Sequence, residues 1–291
     1  MGYIRKIYST QPTKPLFHYT TLQGLTGIVE SSKLWATNVF YLNDASEVKH
    51  AASLLKLAID KKLQSKNDNK ELLTQLSSWL TSSHIERHQF FVSSFTEQSN
   101  LLSQWRGYSK LGQGVSIGLS HELMIYACAE QDFTIVKCIY EKEEKENIIR
   151  EFLNRVLREA QEMGPNKNTS QRHPSQSYYD IFEMFEAAFL EIASSLKHPS
   201  FKEEEEWRFI SPLITDLTDS RIKYRVANST LIPYMEFHLP KEADHLLFHE
   251  VVIGPTQSMN LSMMSIPNYL RSKKVKCENG ICNSQLPYRG L

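Results

Sequence analysis

The chain has 291 residues, of which 41% are hydrophobic and 11% aromatic, enough apolar surface for a sizeable core. Lys plus Arg (33) equals Asp plus Glu (33), so only a local basic patch, not the overall charge, can draw it to nucleic acid or membrane. No apolar run approaches the ~20 residues that span a bilayer, the N-terminus lacks a signal-peptide core, and four cysteines fit a reducing compartment, so a cytoplasmic protein without membrane partners is expected.

Residues 1–15 read as a polar arm ending at Pro15, and 16–291 as a single elaborated domain. Residues 16–20 are a short strand candidate, after which Thr20 or Thr21 can cap a helix with Leu22, Leu25, Ile28 and Val29 at helical spacing. Residues 34–42 alternate as a strand and run into Asn43-Asp44, a turn and helix-start signal. Glu47 then falls in a first helical turn, where a carboxylate suits the macrodipole. That helix reaches residue 63, a polar linker covers 64–70, and a short helix 72–80. Strands are expected at 90–95, 114–119 and 133–140, with a turn of helix at 121–129. Residues 141–162 are charged and helical in composition, 164–177 read as a loop with Pro165 and Pro174, and 178–196 as one helix. The remainder is mostly β, at 207–210, 224–227, 232–239 and 249–253, followed by a helix at 259–270 and a hairpin tail around Asn279-Gly280. Early and late strands around a helical block predict an α+β fold with a helical insertion at 141–198.

The run Glu203-Glu204-Glu205-Glu206-Trp207-Arg208-Phe209-Ile210 passes from four carboxylates into an aromatic, apolar segment without a break. In an extended chain Glu204, Glu206 and Arg208 share one face, and Glu205, Trp207 and Phe209 the other. With Trp207 and Phe209 buried, the polar face is expected to line a cleft or the surface. A cleft would raise the carboxylate pKa values, whereas a solvated strand entry would merely pair Arg208 with a glutamate. His18 reads either as a satisfied core or edge histidine or as a strand-borne imidazole that donates to a ligand, fixed by Thr20 and Thr21.

Ser93, Ser94 and Thr96 form a hydroxyl-rich strand end. Trp105-Arg106-Gly107-Tyr108 brings together a stacking plane, a cation and a permissive glycine, a group that suits a nucleotide. Trp105 as core and Arg106 as an ion-pair partner is an equal alternative. Asn43, Asp44 and Glu47 carry oxygen donors for a hard cation, but the turn and helix start already account for them. Cys277 and Cys282 read as reduced thiols on a hairpin, and no metal is expected. No phosphate-binding glycine loop, nucleophile elbow or His-Glu-x-x-His pattern is present.

An ordered set of segments resembles a bacterial family labelled domain of unknown function twenty-nine seventy-one. The set is Phe17-His18-Tyr19-Thr20-Thr21, Leu34-Trp35, Leu42-Asn43-Asp44 with Glu47, Ser94-Phe95-Thr96, Trp105 and Tyr108 before Gly114, Glu204-x-Glu206-x-Arg208 and Val252-Ile253-Gly254-Pro255. More distantly, a histidine on a first strand, hydroxyls on a middle strand and a glutamate on a late strand resemble ADP-ribosyltransferases, although the usual serine-threonine-serine triplet is missing. That resemblance implies a mixed or antiparallel β core ringed by helices, and NAD as substrate. It implies that His18, with Tyr19 and Thr20 beside it, binds the NAD ribose and that Ser93 or Ser94 supports the strand. It also implies that Glu206 is catalytic with Glu204 upstream, or the two exchanged, and that Arg208 holds Glu206 ionised or binds a phosphate. Tyr41, Trp105 and Tyr108 are the candidates to stack on nicotinamide, with Arg106 nearby. The expected activity is cleavage of the nicotinamide–ribose bond, as in a toxin or phage-defence effector, toward an acceptor that could be protein or nucleic acid. The competing expectation is a non-catalytic nucleotide- or nucleic-acid-binding sensor of the same fold. A metal-dependent nuclease using Asp44, Glu47 and the glutamate run is a third.

Overall fold

The computed structural model describes residues 3–42, 46–65, 69–81, 89–109, 114–168, 173–227 and 229–286. Asn43 and Asp44 lie outside the described residues, so the cation reading that used them has no structural counterpart here. In chain order the elements are α1 (Tyr3–Ser9), β1 (Leu16–Thr21), α2 (Leu22–Ser31), β2 (Lys33–Asn38), α3 (Ser46–Gln64), α4 (Lys70–Thr81), β3 (Phe91–Thr96), α5 (Leu102–Tyr108), β4 (Gly114–Leu119), α6 (His121–Glu130) and β5 (Thr134–Lys137). They continue as α7 (Lys142–Met163), α8 (Tyr179–Met184), α9 (Glu186–Ser195), β6 (Glu206–Ile210), β7 (Lys223–Val226), β8 (Leu231–His238), β9 (Lys241–Glu242), β10 (His245–Phe248), β11 (Glu250–Ile253), α10 (Met259–Ser272), β12 (Val275–Cys277) and β13 (Ile281–Asn283). Short 3-10 turns occupy Val39–Tyr41, Pro174–Gln176 and Pro199–Glu204.

The architecture is α+β. A mixed ten-stranded sheet runs β13-β11-β4-β1-β3-β2-β8-β7, with β6 added to β3 and β5 to β6; β12, β10 and β9 make a second, small sheet. One face of the large sheet packs Leu16, Phe91, Phe95, Trp207, Phe209 and Phe237 against α2, α6 and α10 through Leu25, Met124 and Leu270. The opposite face carries Val92, Val136 and Ile210 against a helical layer from α1, α3, α4 and α7 to α9. In α7, Ile148, Phe152 and Val156 recur every four residues, and all are buried. A Phe at such a site buries enough surface that its removal costs about 3–5 kcal/mol. No helix among the described residues is long and apolar enough to cross a membrane.

Four sequence expectations are corrected. Residues 3–9, expected in a polar arm, form a helix, because Ile4 and Ile7 fall three apart and are buried with α7 residues in the helical layer. The single helix expected at 178–196 is two helices that meet at Phe185. The tail is not a hairpin: β12 pairs parallel with β10 and β13 parallel with β11, so the Asn279-Gly280 turn sends the chain from one sheet to the other. Cys277 and Cys282 therefore lie in separate sheets as free thiols. Finally, the acidic run does not enter the sheet extended. Residues 199–204 coil as a 3-10 turn, Glu205 takes a left-handed conformation (φ 42°), and only Glu206 begins the strand.

Candidate functional site

The site begins with a shared strand edge. One edge of β3 carries β6 along its length, from Val92 opposite Ile210 to Thr96 opposite Glu206. The other edge serves two strands, β1 at Phe17–Thr96 and β2 at Thr37–Val92 and Asn38–Phe91. β1 and β2 approach this edge in the same direction, so they part over residues 93–95 and the sheet opens. The exposed Ser94 carbonyl is taken by the His18 ring, with Nδ1 to oxygen at 3.1 Å. A carbonyl only accepts, so Nδ1 carries the proton and Nε2 is left as the acceptor. Burial lowers the His18 pKa against the opposing pull of the Ser94 bond, which keeps the ring neutral at pH 7.

The opening is a cleft of about 50 Å³ lined by His18 and Tyr19 of β1, Ser94 and Thr96 of β3, Gln104 and Tyr108 of α5, and the pair Glu204 and Glu206. Alternation along the strands assigns His18 to the face of Leu16 and Phe95, and Glu206 to the face of Phe17 and Thr96. The two line one cleft because the splay lets the ring into the gap between strands. A water occupies about 30 Å³ of liquid, whereas pockets for whole ligands run to several hundred. In this conformation the cleft admits a small polar group and not a dinucleotide.

Behind its carboxylate wall lies a buried chain of alternating charge. Arg208 donates from Nε to Glu206 Oε1 at 2.9 Å and from Nη2 to Glu206 Oε2 at 3.2 Å. It grips Glu47 at the start of α3 with both terminal nitrogens, one of them at 3.0 Å, and donates to the Ser194 carbonyl in the last turn of α9 at 2.6 Å. Lys197 donates to Glu206 Oε2 at 2.5 Å and also pairs with Glu204. The order is Glu47, Arg208, Glu206, Lys197, Glu204, three carboxylates on two cations. Cys138 Sγ donates to Glu206 Oε2 at 3.6 Å, and the Tyr140 hydroxyl accepts from the Glu206 amide at 3.0 Å. Burial acts to raise the Glu206 pKa, but Arg208 and Lys197 outweigh it and hold the carboxyl at about 2. Glu47 goes the other way, pushed up because burial outweighs Arg208. Burial and the Glu206 charge also push the Cys138 thiol well up, so it is a proton-bearing, inert neighbour.

The polar face of β6 was expected to meet a cleft or the surface. Instead Arg208 is 2% exposed and covered by the helical layer, and only Glu206, at the strand's start, reaches the cleft. Trp105 is core: 1% exposed, it packs on Tyr19 at 4.6 Å between centroids and donates its indole N–H to Asn100 at 2.8 Å. It lies so close to Gly254 that a Cβ there would sit 2.8 Å from the indole. Trp105 and Gly254 are thus one packing contact. Arg106 is exposed on α5, while Tyr108 and Gln104 of that helix line the cleft. Tyr41 is exposed in the 3-10 turn and does not line it.

Thr20 faces Gly24, whose added Cβ would meet its Oγ1 at 1.9 Å, and Thr21 rather than Thr20 caps α2. Ser93 alternates with Ser94 and so lies on the core face of Phe91, Phe95 and Phe209, with no partner for its hydroxyl among the described residues. Tyr19 donates from its hydroxyl to the Gln98 carbonyl at 2.8 Å and accepts from Leu101 N at 2.8 Å, which ties the 97–101 loop to β1. Lys197 and Gln104 were missed. Lys197 was detectable as a cation directly after the apolar end of α9 at Leu196, whereas nothing in the pattern singles out Gln104. Among the described residues no group of three or more His, Cys, Asp or Glu is placed to hold a metal ion.

Neither the curated proteins nor the solved structures yield a match to this chain. Residues 104–209 match the family model described as Protein of unknown function (DUF2971). The matched stretch opens on Gln104 and closes just past Arg208, so the likeness to that family takes in most of α5, the helical insertion and the charged wall of the cleft.

Proposed function

We propose that the protein is an NAD-consuming enzyme of the ADP-ribosyltransferase type, cleaving the nicotinamide–ribose bond in the cleft where β1 leaves β3. The observation that carries this reading is that His18, Ser94, Glu204 and Glu206, drawn from three separate regions of the chain, line one cleft. Bond cleavage builds positive charge on the ribose, which a fixed carboxylate in a site of low dielectric stabilises. Neutral His18 can hydrogen-bond the ribose through Nε2, and Tyr108 offers a half-exposed ring at the rim. Glu206 has both oxygens engaged by cations and 6% of its side chain exposed, whereas Glu204 pairs with Lys197 nearer the solvent with 12% exposed. Glu204 is therefore assigned to the developing ribosyl cation, and Glu206 to positioning Lys197 and, through it, Glu204. The cleft must widen to admit NAD, by movement of α5 or of residues 199–204.

The test is release of nicotinamide from NAD, followed by proton NMR, with wild type, Glu204→Gln and Glu206→Gln. Release that is lost in Glu204→Gln at unchanged melting temperature supports the assignment. A folded wild type that neither binds nor cleaves NAD across protein and nucleic-acid acceptors rejects it. The saturation of Glu206 by Arg208 and Lys197, together with the small cleft, favours a second reading, a sensor that binds a nucleotide without turnover. Saturable NAD binding with no nicotinamide after hours of incubation selects that reading.

A further inference from the structure

The sheet face that is roofed by helices over β3 and β6 continues, open, across β2, β8 and β7. Register places Lys33, Trp35 and Thr37 of β2, Tyr234 and Glu236 of β8, and Lys223 and Arg225 of β7 on this one face. Trp35 is 48% exposed and rests on Tyr234 with ring centroids 4.5 Å apart. The Arg225 guanidinium lies 5.9 Å from the Trp35 ring, and one terminal nitrogen donates to Thr37 Oγ1 at 3.5 Å. Its Nε has no hydrogen-bond partner, and no carboxylate is recorded with it among the described residues. Lys33 and Lys223 converge on the single carboxylate Glu236, each at 2.7 Å. Among the described residues the face therefore carries three cations against one acid, around one exposed indole, Trp35, backed by the buried Tyr234 ring.

We infer that this face binds single-stranded nucleic acid, with a base stacked on Trp35 and the flanking phosphates met by Arg225 and Lys223. An aromatic plane alone would suit a sugar or a proline, and cations alone any polyanion. The combination on one flat strand surface fits a chain that alternates π-faces with phosphates. Three strands at ~4.8 Å spacing span about 10 Å, the width of one or two nucleotide steps. The chain as a whole is neutral, so the attraction is local to this face and binding should be modest and strongly salt-dependent. The inference does not rest on NAD turnover, and its test does not read turnover.

Trp79, Trp105 and Trp207 are each exposed by 2% or less, so collisional quenching of tryptophan fluorescence reports mainly on Trp35. Titration with a 12-mer of uridine at low salt should quench that emission and protect it from acrylamide. With a labelled 12-mer read by anisotropy, Trp35→Ala should weaken binding about tenfold or more, while Trp35→Phe, which keeps a π-face, should stay within a few-fold of wild type. Arg225→Gln should lower the salt slope by about 0.7, the value for one phosphate of a single strand. Circular dichroism confirms the fold of each variant. No binding of the 12-mer at low salt, equal affinity for a matched duplex, or binding unchanged in a folded Trp35→Ala would each overturn the inference.

Discussion

Replacing Arg208 by methionine probes the buried charge chain most sharply, because every neighbour of that guanidinium is specified. The substitution keeps much of the side-chain volume and removes the cation that serves both Glu47 and Glu206. Those carboxylates have 7% and 6% of their side chains exposed, so solvent cannot take over. Removing one partner of a buried pair costs about 3–5 kcal/mol, against a total stability on the order of 5–15 kcal/mol. For a chain of this length that lowers the melting temperature by on the order of 10 °C.

The pH profile is the stronger signature. In the wild type, Glu206 is held at about 2 against the 4.5 of an ordinary glutamate, worth roughly 3 kcal/mol. That stabilisation is fully present above the unfolded pKa and is lost as pH falls from about 4.5 toward 2. Glu47, with its pKa raised, offsets part of it: its contribution favours low pH and is lost as pH rises through its folded value. Without Arg208, burial of Glu47 is unopposed by any direct ion pair, and this second behaviour dominates. Thermal melts from pH 7 to pH 5 should therefore be nearly flat for wild type and rise on acidification for Arg208→Met. A variant that melts within about 2 °C of wild type at pH 7, with a parallel pH profile, would refute the network.

Three further outcomes are expected. Carbon-detected NMR of the His18 ring should show the Nδ1–H tautomer and an apparent pKa below the ordinary histidine value, since burial lowers it; a normal titration would mean the ring is solvated. Gly254→Ala should destabilise the protein by about 1–3 kcal/mol in denaturant melts, because the new Cβ would lie 2.8 Å from Trp105 and 3.0 Å from the Gly114 carbonyl oxygen. Cys138 and Cys128, both buried, should resist a thiol reagent until unfolding, while exposed Cys282, whose thiol is pushed up to about 11 by partial burial and Glu250, reacts slowly in the native state. Fast modification of all four cysteines would contradict the packing around β5 and α6.

Local pattern revealed the elements well where burial is one-sided. Residues 114–119 are legible as the strand they form, because Val115, Ile117 and Leu119 alternate with the small Ser116 and Gly118 after Gly114. The helical insertion is legible in the charged, helix-favouring composition of 141–162, and the structure adds that α7 buries one apolar stripe of it. The acidic run was misread at its start. Alternation supplied the faces of Glu206, Trp207 and Arg208 correctly, but no periodic signal marks the left-handed Glu205 that swings Glu204 out of the strand. Nor could alternation reveal that the polar face of β6 is roofed by α3, α7 and α9, since Glu47 and Lys197 lie 161 and 11 residues from Arg208 in sequence. The cleft depends on β1 and β2 sharing one edge of β3, a property of topology that no single strand carries. Ring placement was open for the same reason: Trp105 and Tyr108 sit on one short helix, yet one is core and the other rim.

The central claim is that the opening between β1 and β3 receives NAD. With histidine-labelled protein, the ring signals of His18 can be followed while NAD is added. The account predicts that the His18 resonances shift with saturable dependence on NAD, that Glu204→Gln still binds but releases no nicotinamide, and that the exposed His173 and the half-buried His245 are unmoved. His18 signals that stay fixed at saturating NAD in a folded protein would contradict it.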